Sequence, residues 1–366
     1  MILPLLALRV YLQAIALIAI KLVPFKASFP YWETVLAKLG PNWLWFWGNF
    51  DGAHYIKLSN LGYHEAFTQA FFPLYPFLMG LLNLVTHNGL ASGLIISHLA
   101  VLGFIYYFTK LGRLDYPKNS INWALAFLLL FPTSFFLFSV YTESLFLFLT
   151  IFSFYLARKK HFLSAALIAG LASATRLVGI FLLPAILWEY WQSKSKKIWP
   201  YLGITALASS GLLFYLNFLR TRFGDFMIFA TSQPDFGAGR QVDKLVMIYQ
   251  VIWRYLKMFV TVNPLNDIYP VLVFEFGLSI LFLTLIIYAF FKKLRLSYLI
   301  FASLCFLLPT LTGTFLSMPR FLLTCFPLFY LLGNIKNKTI KSLLLLISLA
   351  LMTWAFTRFS RGYWLS

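Results

Sequence analysis

The sequence predicts an all-α, polytopic membrane protein, and three observations carry that reading. Apolar residues fill 61% of the 366 positions and only 11% are charged, against about 25% in soluble domains. So few charges cannot cover a water-facing surface. The apolar runs are long and continuous, without the alternation of a spanning β-barrel. The basic residues fall in short clusters between those runs. The net charge of +19 therefore reads as the positive-inside pattern of a multi-pass chain; no nucleic-acid partner is expected. A spanning helix takes about 20 apolar residues, so about eleven would use roughly 60% of the chain.

The first expected helix is 3–24. It lacks a basic leader and a small-residue cleavage site, and is read as retained. Residues 25–70 follow, comparatively polar, with Trp32, Trp43, Trp45 and Trp47 and the tyrosines Tyr31, Tyr55 and Tyr63. Aromatics of this kind sit at headgroup level, so the segment reads as a surface cap. Further spans are expected at 71–87, 90–109, 121–139, 142–157, 161–175, 177–191 and 199–220. A second polar stretch, 222–268, has an amphipathic piece around Lys244–Phe259. The last spans are 269–291, 296–315, 320–333 and 340–357. With no internal repeat or low-complexity linker, 1–366 reads as one integral-membrane domain.

Five basic clusters set the orientation: Lys110/Arg113/Lys118, Arg158/Lys159/Lys160, Lys194/Lys196/Lys197, Lys292/Lys293/Arg295 and Lys336/Lys338/Lys341. Placing all five in the cytoplasm makes 121–157, 161–191 and 296–333 hairpins whose tips, with 25–70 and 222–268, share the outer face. Parity then forbids 71–87 and 90–109 from both crossing. Residues 71–87 hold Pro73 and Pro76 and extend only about 25 Å at 1.5 Å per residue, so this helix is read as interfacial or re-entrant. About eleven crossings remain.

The polar groups of the outer face carry the chemistry. In Asn49-Phe50-Asp51-Gly52-Ala53-His54-Tyr55, continuing to Gly62-Tyr63-His64-Glu65, Asp51 sits among aromatics. Partial desolvation there would make it a better base; a solvated loop carboxylate or helix N-cap is the plainer alternative. Phe71-Phe72-Pro73-Leu74-Tyr75-Pro76 reads as a proline-punctuated turn into the membrane. Tyr141-Thr142-Glu143-Ser144 places an acid at membrane depth, where charge is costly and points to function, or to a structural pair with Arg176. Arg176, in Ala174-Thr175-Arg176, and Arg320, in Ser317-Met318-Pro319-Arg320-Phe321, offer planar forks for phosphate, or snorkel to headgroups. Gly224-Asp225 and Gln233 lie on the second outer segment. Gly237-Ala238-Gly239 carries no weight. No phosphate-binding loop, dinucleotide fingerprint or zinc-protease motif is present, and Cys305 and Cys325 give neither a disulfide framework nor metal-type spacing. A nucleotide-sugar donor is therefore not supported.

Taken together, Asp51, Gly62-Tyr63, Glu65, the Phe71–Pro76 run, Tyr141-Thr142-Glu143-Ser144, Thr175-Arg176, Gly224-Asp225, Ser317–Phe321 and Arg361-Gly362-Tyr363-Trp364 resemble, in order, the blocks of the phosphatidylinositol-glycan class V mannosyltransferases and their prokaryotic relatives. Phe50 stands where that family often has Trp. The resemblance implies the C-type glycosyltransferase fold in the cell membrane and an active site on the extracytoplasmic side. It implies a polyprenyl-phosphate sugar donor, with mannose as the family default, and inverting transfer to a lipid or glycan acceptor. It makes Asp51 the base, with Glu65 supporting it, and gives the donor phosphate to Arg176 and Arg320, with Glu143 as a catalytic acid that orients one of them. His54, Tyr55, Tyr141, Asp225 and Gln233 become substrate-binding candidates. No cofactor is implied with certainty, and a divalent metal stays open. A transporter or flippase of lipid-linked sugars is the alternative, and paired inverted repeats, its signature, are not found.

Overall fold

The computed structural model describes residues 2–65, 67–194, 197–234, 240–241 and 243–365. Lys196 of the third basic cluster, Gly237-Ala238-Gly239 and part of the 222–268 segment lie outside them. Among the described residues there is no strand; every regular element is helical. Five helices are long and apolar enough to cross a membrane: Leu3–Leu22, Gly89–Gly112, Trp199–Phe223, Tyr269–Phe291 and Lys338–Ser360. Leu74–Thr86, Phe162–Ser173, Leu177–Gln192 and Leu296–Thr310 are apolar but shorter. The long helices leave Leu3, Val10, Leu99, Leu213, Phe214, Ile287 and Leu346 exposed, the face that a lipid-embedded helix presents. The protein is an all-α polytopic membrane protein.

The chain divides into two compact units. The first comprises Met1–His64, Phe72–Ile151 and Leu332–Leu365. Its long helices Gly89–Gly112 and Lys338–Ser360 start on asparagine caps. Asn88 accepts from the Ala91 amide at 3.1 Å and Asn337 from the Ile340 amide at 3.1 Å, each satisfying one of the otherwise orphaned first-turn donors. Residues 25–64 of the expected 25–70 segment form short helical turns, with one longer helix, Asp51–Leu61. The closing Arg361-Gly362 pins the start of that segment. Arg361 Nε donates to the Val23 carbonyl at 2.8 Å, and the amides of Lys26 and Ser28 bond the carbonyls of Arg361 and Gly362. Gly362 is required: its φ is +76° and a Cβ would sit 2.8 Å from the Lys26 oxygen. Burial lowers the pKa of the Arg361 guanidinium from its ordinary value.

The expected span 121–139 is not one helix. Lys118–Leu129 stops just before Phe131-Pro132, and residues 131–147 are all buried. Pro132 cannot donate to the helical ladder. The irregular backbone that follows is tolerated because protein surrounds it. Carbonyls on both sides of the break are covered: Ser134 Oγ donates to the Leu128 carbonyl, Ser139 Oγ to Phe135 at 3.0 Å, and Ser348 Oγ, from a distant helix, to Leu130 at 2.7 Å.

The second unit comprises Glu65–Phe71 and Phe152–Leu331. The expected span 320–333 is likewise broken, into Met318–Phe321, the 3-10 turn Leu322–Thr324 and Pro327–Gly333. Pro327 again interrupts the ladder. Arg295 grips Glu189 with two nitrogens, at 2.5 and 2.6 Å, and Ser297 Oγ donates to the same carboxylate at 2.5 Å. The bond to Glu189 raises the Arg295 pKa. Thus one residue of the fourth basic cluster is committed to tying helix Leu182–Gln192 to helix Leu296–Thr310.

Helices Phe162–Ser173 and Trp199–Phe223 touch backbone to backbone through small residues, the usual packing solution for helices in lipid. A Cβ on Gly211 would lie 2.0 Å from the Gly170 oxygen, and one on Gly170 would lie 2.4 Å from the Leu207 oxygen. Gly211→Ala therefore must part the two helices and is expected to lower stability by about 1–3 kcal/mol. Gly277→Ala, inside a long helix with nothing within 4 Å, is expected to be neutral or to gain up to about 1 kcal/mol of helix propensity. Thermal unfolding of the two detergent-solubilised variants separates them: Gly211→Ala should melt lower and Gly277→Ala should not.

Candidate active site

In the first unit the Asp51 motif and the Tyr141-Thr142-Glu143 motif are built against each other. The Val140 amide donates to the Trp47 carbonyl at 2.9 Å, and the Tyr141 hydroxyl donates to the Asn49 carbonyl at 2.9 Å, across 92 residues of sequence. Asn49 is fully buried and its amide donates to the Phe359 carbonyl at 2.8 Å. Gly52 permits the approach, since a Cβ there would lie 3.2 Å from the Val140 oxygen. Trp47 is buried beneath Arg9, whose guanidinium lies 3.8 Å from the ring centroid. These contacts fix the backbone on both sides of Phe50.

Phe50 is the strained residue of the segment. It adopts φ 57°, ψ −119° directly before the helix Asp51–Leu61. A bulky residue at positive φ costs about 1–3 kcal/mol and persists only where its surroundings over-determine it. They do: its ring packs on Phe29 at 4.6 Å, Phe359 at 5.9 Å and Trp364 at 5.9 Å. The turn it forces delivers Asp51 as the first helical residue, half-buried, where the helix dipole favours a carboxylate. The N-cap alternative is not what the geometry has, because the cap position is Phe50.

His54 and Tyr55 lie one turn along. His54 meets the Tyr31 ring edge-on at 5.5 Å, and Lys57 lies over the same ring at 3.7 Å. Tyr55 is buried against Tyr75 at 5.2 Å. Tyr75, from the proline-punctuated run, donates to the Gly93 carbonyl at 3.0 Å and shares a 2.8 Å bond with Ser97 Oγ. Glu143 is buried at the start of helix Glu143–Arg158. Asp51, His54, Tyr55, Tyr141 and Glu143 thus belong to one unit. Tyr75 joins them, a residue the sequence reading had left as a structural turn.

The remaining residues belong to the second unit. Glu65 is half-buried, and its carbonyl accepts from Thr68 Oγ1 at 2.7 Å. Asp225 is exposed and accepts from the Met227 amide at 2.8 Å, shaping a turn. Arg176 is half-buried in extended backbone between Ser173 and the turn Leu177–Phe181. Its guanidinium lies 5.1 Å from the Phe321 ring; that of Arg320, itself buried, lies 5.3 Å from the same ring. Arg240 joins them at 5.9 Å, with Nη1 donating to Gln233 Oε1 at 2.6 Å. Three guanidinium groups thus converge on one ring.

Behind the arginines stands Glu275, fully buried within helix Tyr269–Phe291. Tyr255 donates to its Oε2 at 2.8 Å and the Ser317 amide to its Oε1 at 3.3 Å. Ser317 is left-handed, φ 63°, and opens the turn Met318–Phe321 that carries Arg320. Burial and the neighbouring carboxylate push the Tyr255 phenol above its ordinary pKa, so it stays a donor. Glu275 had a sequence signal, a lone acid inside a 23-residue apolar helix. Arg240 had none. Among the described residues no group of three or more His, Cys, Asp or Glu is placed to hold a metal ion.

The family model described as Mannosyltransferase (PIG-V) matches residues 9–199, just over half the chain. The chain belongs to this family. The matched stretch holds Asp51, Glu65, Glu143 and Arg176, while Arg240, Glu275 and Arg320 lie beyond it. The family is described as one of mannosyltransferases. No curated protein matches the chain. Among solved structures it is similar to the crystal structure of the Archaeoglobus fulgidus oligosaccharyltransferase, tethered with an acceptor peptide containing the NVT sequon. The identity is 14% and the TM-score 0.47 over 98% of this chain and 55% of that one. The chain spans about half the length of that enzyme.

Replacing Glu275 by Leu would strand two buried donors, the Tyr255 hydroxyl and the Ser317 amide, at about 1–3 kcal/mol each. Glu275→Leu is expected to lower the unfolding temperature of this PIG-V family member markedly, and Glu275→Gln, which keeps an acceptor oxygen, by less. Circular dichroism melts in detergent measure both.

Proposed function

We propose that the protein transfers a sugar, mannose by family default, from a polyprenyl-phosphate donor to a hydroxyl of a lipid or glycan acceptor on the extracytoplasmic face of the cell membrane, with inversion. The observation that carries this is the strained Phe50 turn, which presents Asp51 at a helix start beside the Glu143 motif. Strain of that kind collects at functional sites. Asp51 takes the proton from the acceptor hydroxyl as its oxygen attacks the anomeric carbon. The bond from that carbon to the phosphate oxygen breaks, and its electron pair leaves on the lipid phosphate. Arg176 and Arg320 stabilise the departing charge. Glu143 is a further catalytic acid, and Tyr55 and Tyr141, with His54, line the approach to Asp51. Glu65 supports the base, and Asp225 and Gln233 serve substrate in the same reading. No step is routed through a metal.

Asp51→Asn is nearly isosteric and cannot accept the proton. General-base catalysis contributes about 10²–10⁴-fold, so the variant is expected to insert and bind donor lipid yet lose transfer by about a hundredfold or more. Glu65→Gln is the matched control. Release of lipid phosphate from purified protein given a polyprenyl-phosphate sugar and an acceptor reads both. Near-normal turnover in Asp51→Asn with none in Glu65→Gln would move the base to Glu65; activity in both would remove this loop from the chemistry.

The orientation is testable separately. Cys305 and Cys325 are buried and give little labelling background. A cysteine at exposed His64 is expected to react with an impermeant maleimide in sealed cells, and one at Lys292 only after permeabilisation. The reverse pattern would put the site on the cytoplasmic side.

A further inference from the structure

Arg240 is the unabsorbed feature of the second unit. It reaches the Phe321 ring that Arg176 and Arg320 also face, and the structure around it is built to hold it there. Gln233 accepts one of its N–H groups at 2.6 Å. The next residue, Gln241, donates its amide to the Thr312 carbonyl at 2.9 Å, and the Val246 amide donates to Leu311 at 3.0 Å. Arg254 Nη1 bonds the Gly313 carbonyl at 2.7 Å. The segment carrying Arg240 is thus fastened to the loop that leads into Ser317–Arg320. Glu275 in turn fixes the Ser317 amide at the start of that turn.

We propose that Arg240 is a third ligand of the lipid phosphate and acts chiefly as that phosphate leaves. The assignment rests on the reading of Arg176 and Arg320 as the phosphate site. Its physical content is a charge difference. The donor phosphate is a diester with one negative charge. When the bond from the anomeric carbon to oxygen breaks, the electron pair stays on that oxygen. The released lipid phosphate is then a monoester of charge near −1.5 to −2. A third guanidinium gains most where the second charge develops, so it lowers the barrier more than it tightens donor binding. Two oxygens of a monoester are also better matched by several planar forks than by one.

The test uses the purified full chain with Arg240→Gln, Arg240→Lys and Arg176→Ala. Donor kinetics are measured on all, together with direct binding of polyprenyl phosphate and, separately, inorganic phosphate. Arg240→Gln is expected to cut kcat by about 10²-fold or more, the scale of a lost oxyanion donor, with donor KM nearly unchanged, and to weaken polyprenyl phosphate binding more than donor binding. Arg240→Lys should restore part of kcat. Inorganic phosphate competing as well as polyprenyl phosphate would assign recognition to the phosphate alone; poor competition would assign it to the lipid-linked form. Unchanged kcat and product binding in Arg240→Gln, with both lost in Arg176→Ala, would overturn the role of Arg240 and leave the phosphate site standing. Normal binding in Arg176→Ala would overturn the site itself. Equal losses of kcat, KM and melting temperature in Arg240→Gln, unrescued by Lys, would make Arg240 a structural residue.

Discussion

The first unit depends on a clamp of two hydrogen bonds between segments far apart in sequence. Val140 donates to Trp47 and the Tyr141 hydroxyl donates to Asn49. Each bond is worth only about 1 kcal/mol net, yet both are buried, and breaking either would strand polar backbone in an apolar interior. The clamp holds Phe50 in its positive-φ turn, aided by Phe29, Phe359 and Trp364 at about 0.5–1.5 kcal/mol per ring pair. It therefore sets where Asp51 begins its helix. Gly52 and Gly93 follow from the same constraint, since a Cβ on Gly93 would lie 2.5 Å from Val140 Cγ1.

The second unit uses a comparable device around a carboxylate. Glu275 stands in a helix that would otherwise be uniformly apolar, and it is tolerated because Tyr255 and the Ser317 amide satisfy its two oxygens. What it fixes is a left-handed turn and, through that turn, Arg320. In both units a buried polar contact of small net energy selects one backbone geometry for a chemically useful side chain. The apolar bulk supplies stability without such selectivity.

Helix class, the breadth of the apolar runs and most of the candidate site residues were legible in the sequence. Continuous hydrophobicity and scarce charge admit only membrane helices, and an acid or arginine in such surroundings is conspicuous because its burial is costly. Asp51, Glu143, Arg176 and Arg320 were found this way. The spans expected at 121–139 and 320–333 were not single helices. Hydropathy registers apolar character, and an irregular segment buried in protein is as apolar as a helix in lipid. Pro132 and Pro327 were the available signals for the breaks.

The sequence by itself determined the solvent this chain folds in and the family it belongs to, and it picked out candidate site residues, because each depends on composition and local spacing. Only the tertiary structure decided which of those residues meet. Tyr75 was read as part of a turn and proved to be a buried neighbour of Tyr55. Arg240 lay in a loop without a motif and proved to share the Phe321 ring with two other arginines. The reason is physical. Convergence of side chains is set by packing and by backbone bonds between distant segments, such as Tyr141 to Asn49, and no local pattern records a partner 92 residues away.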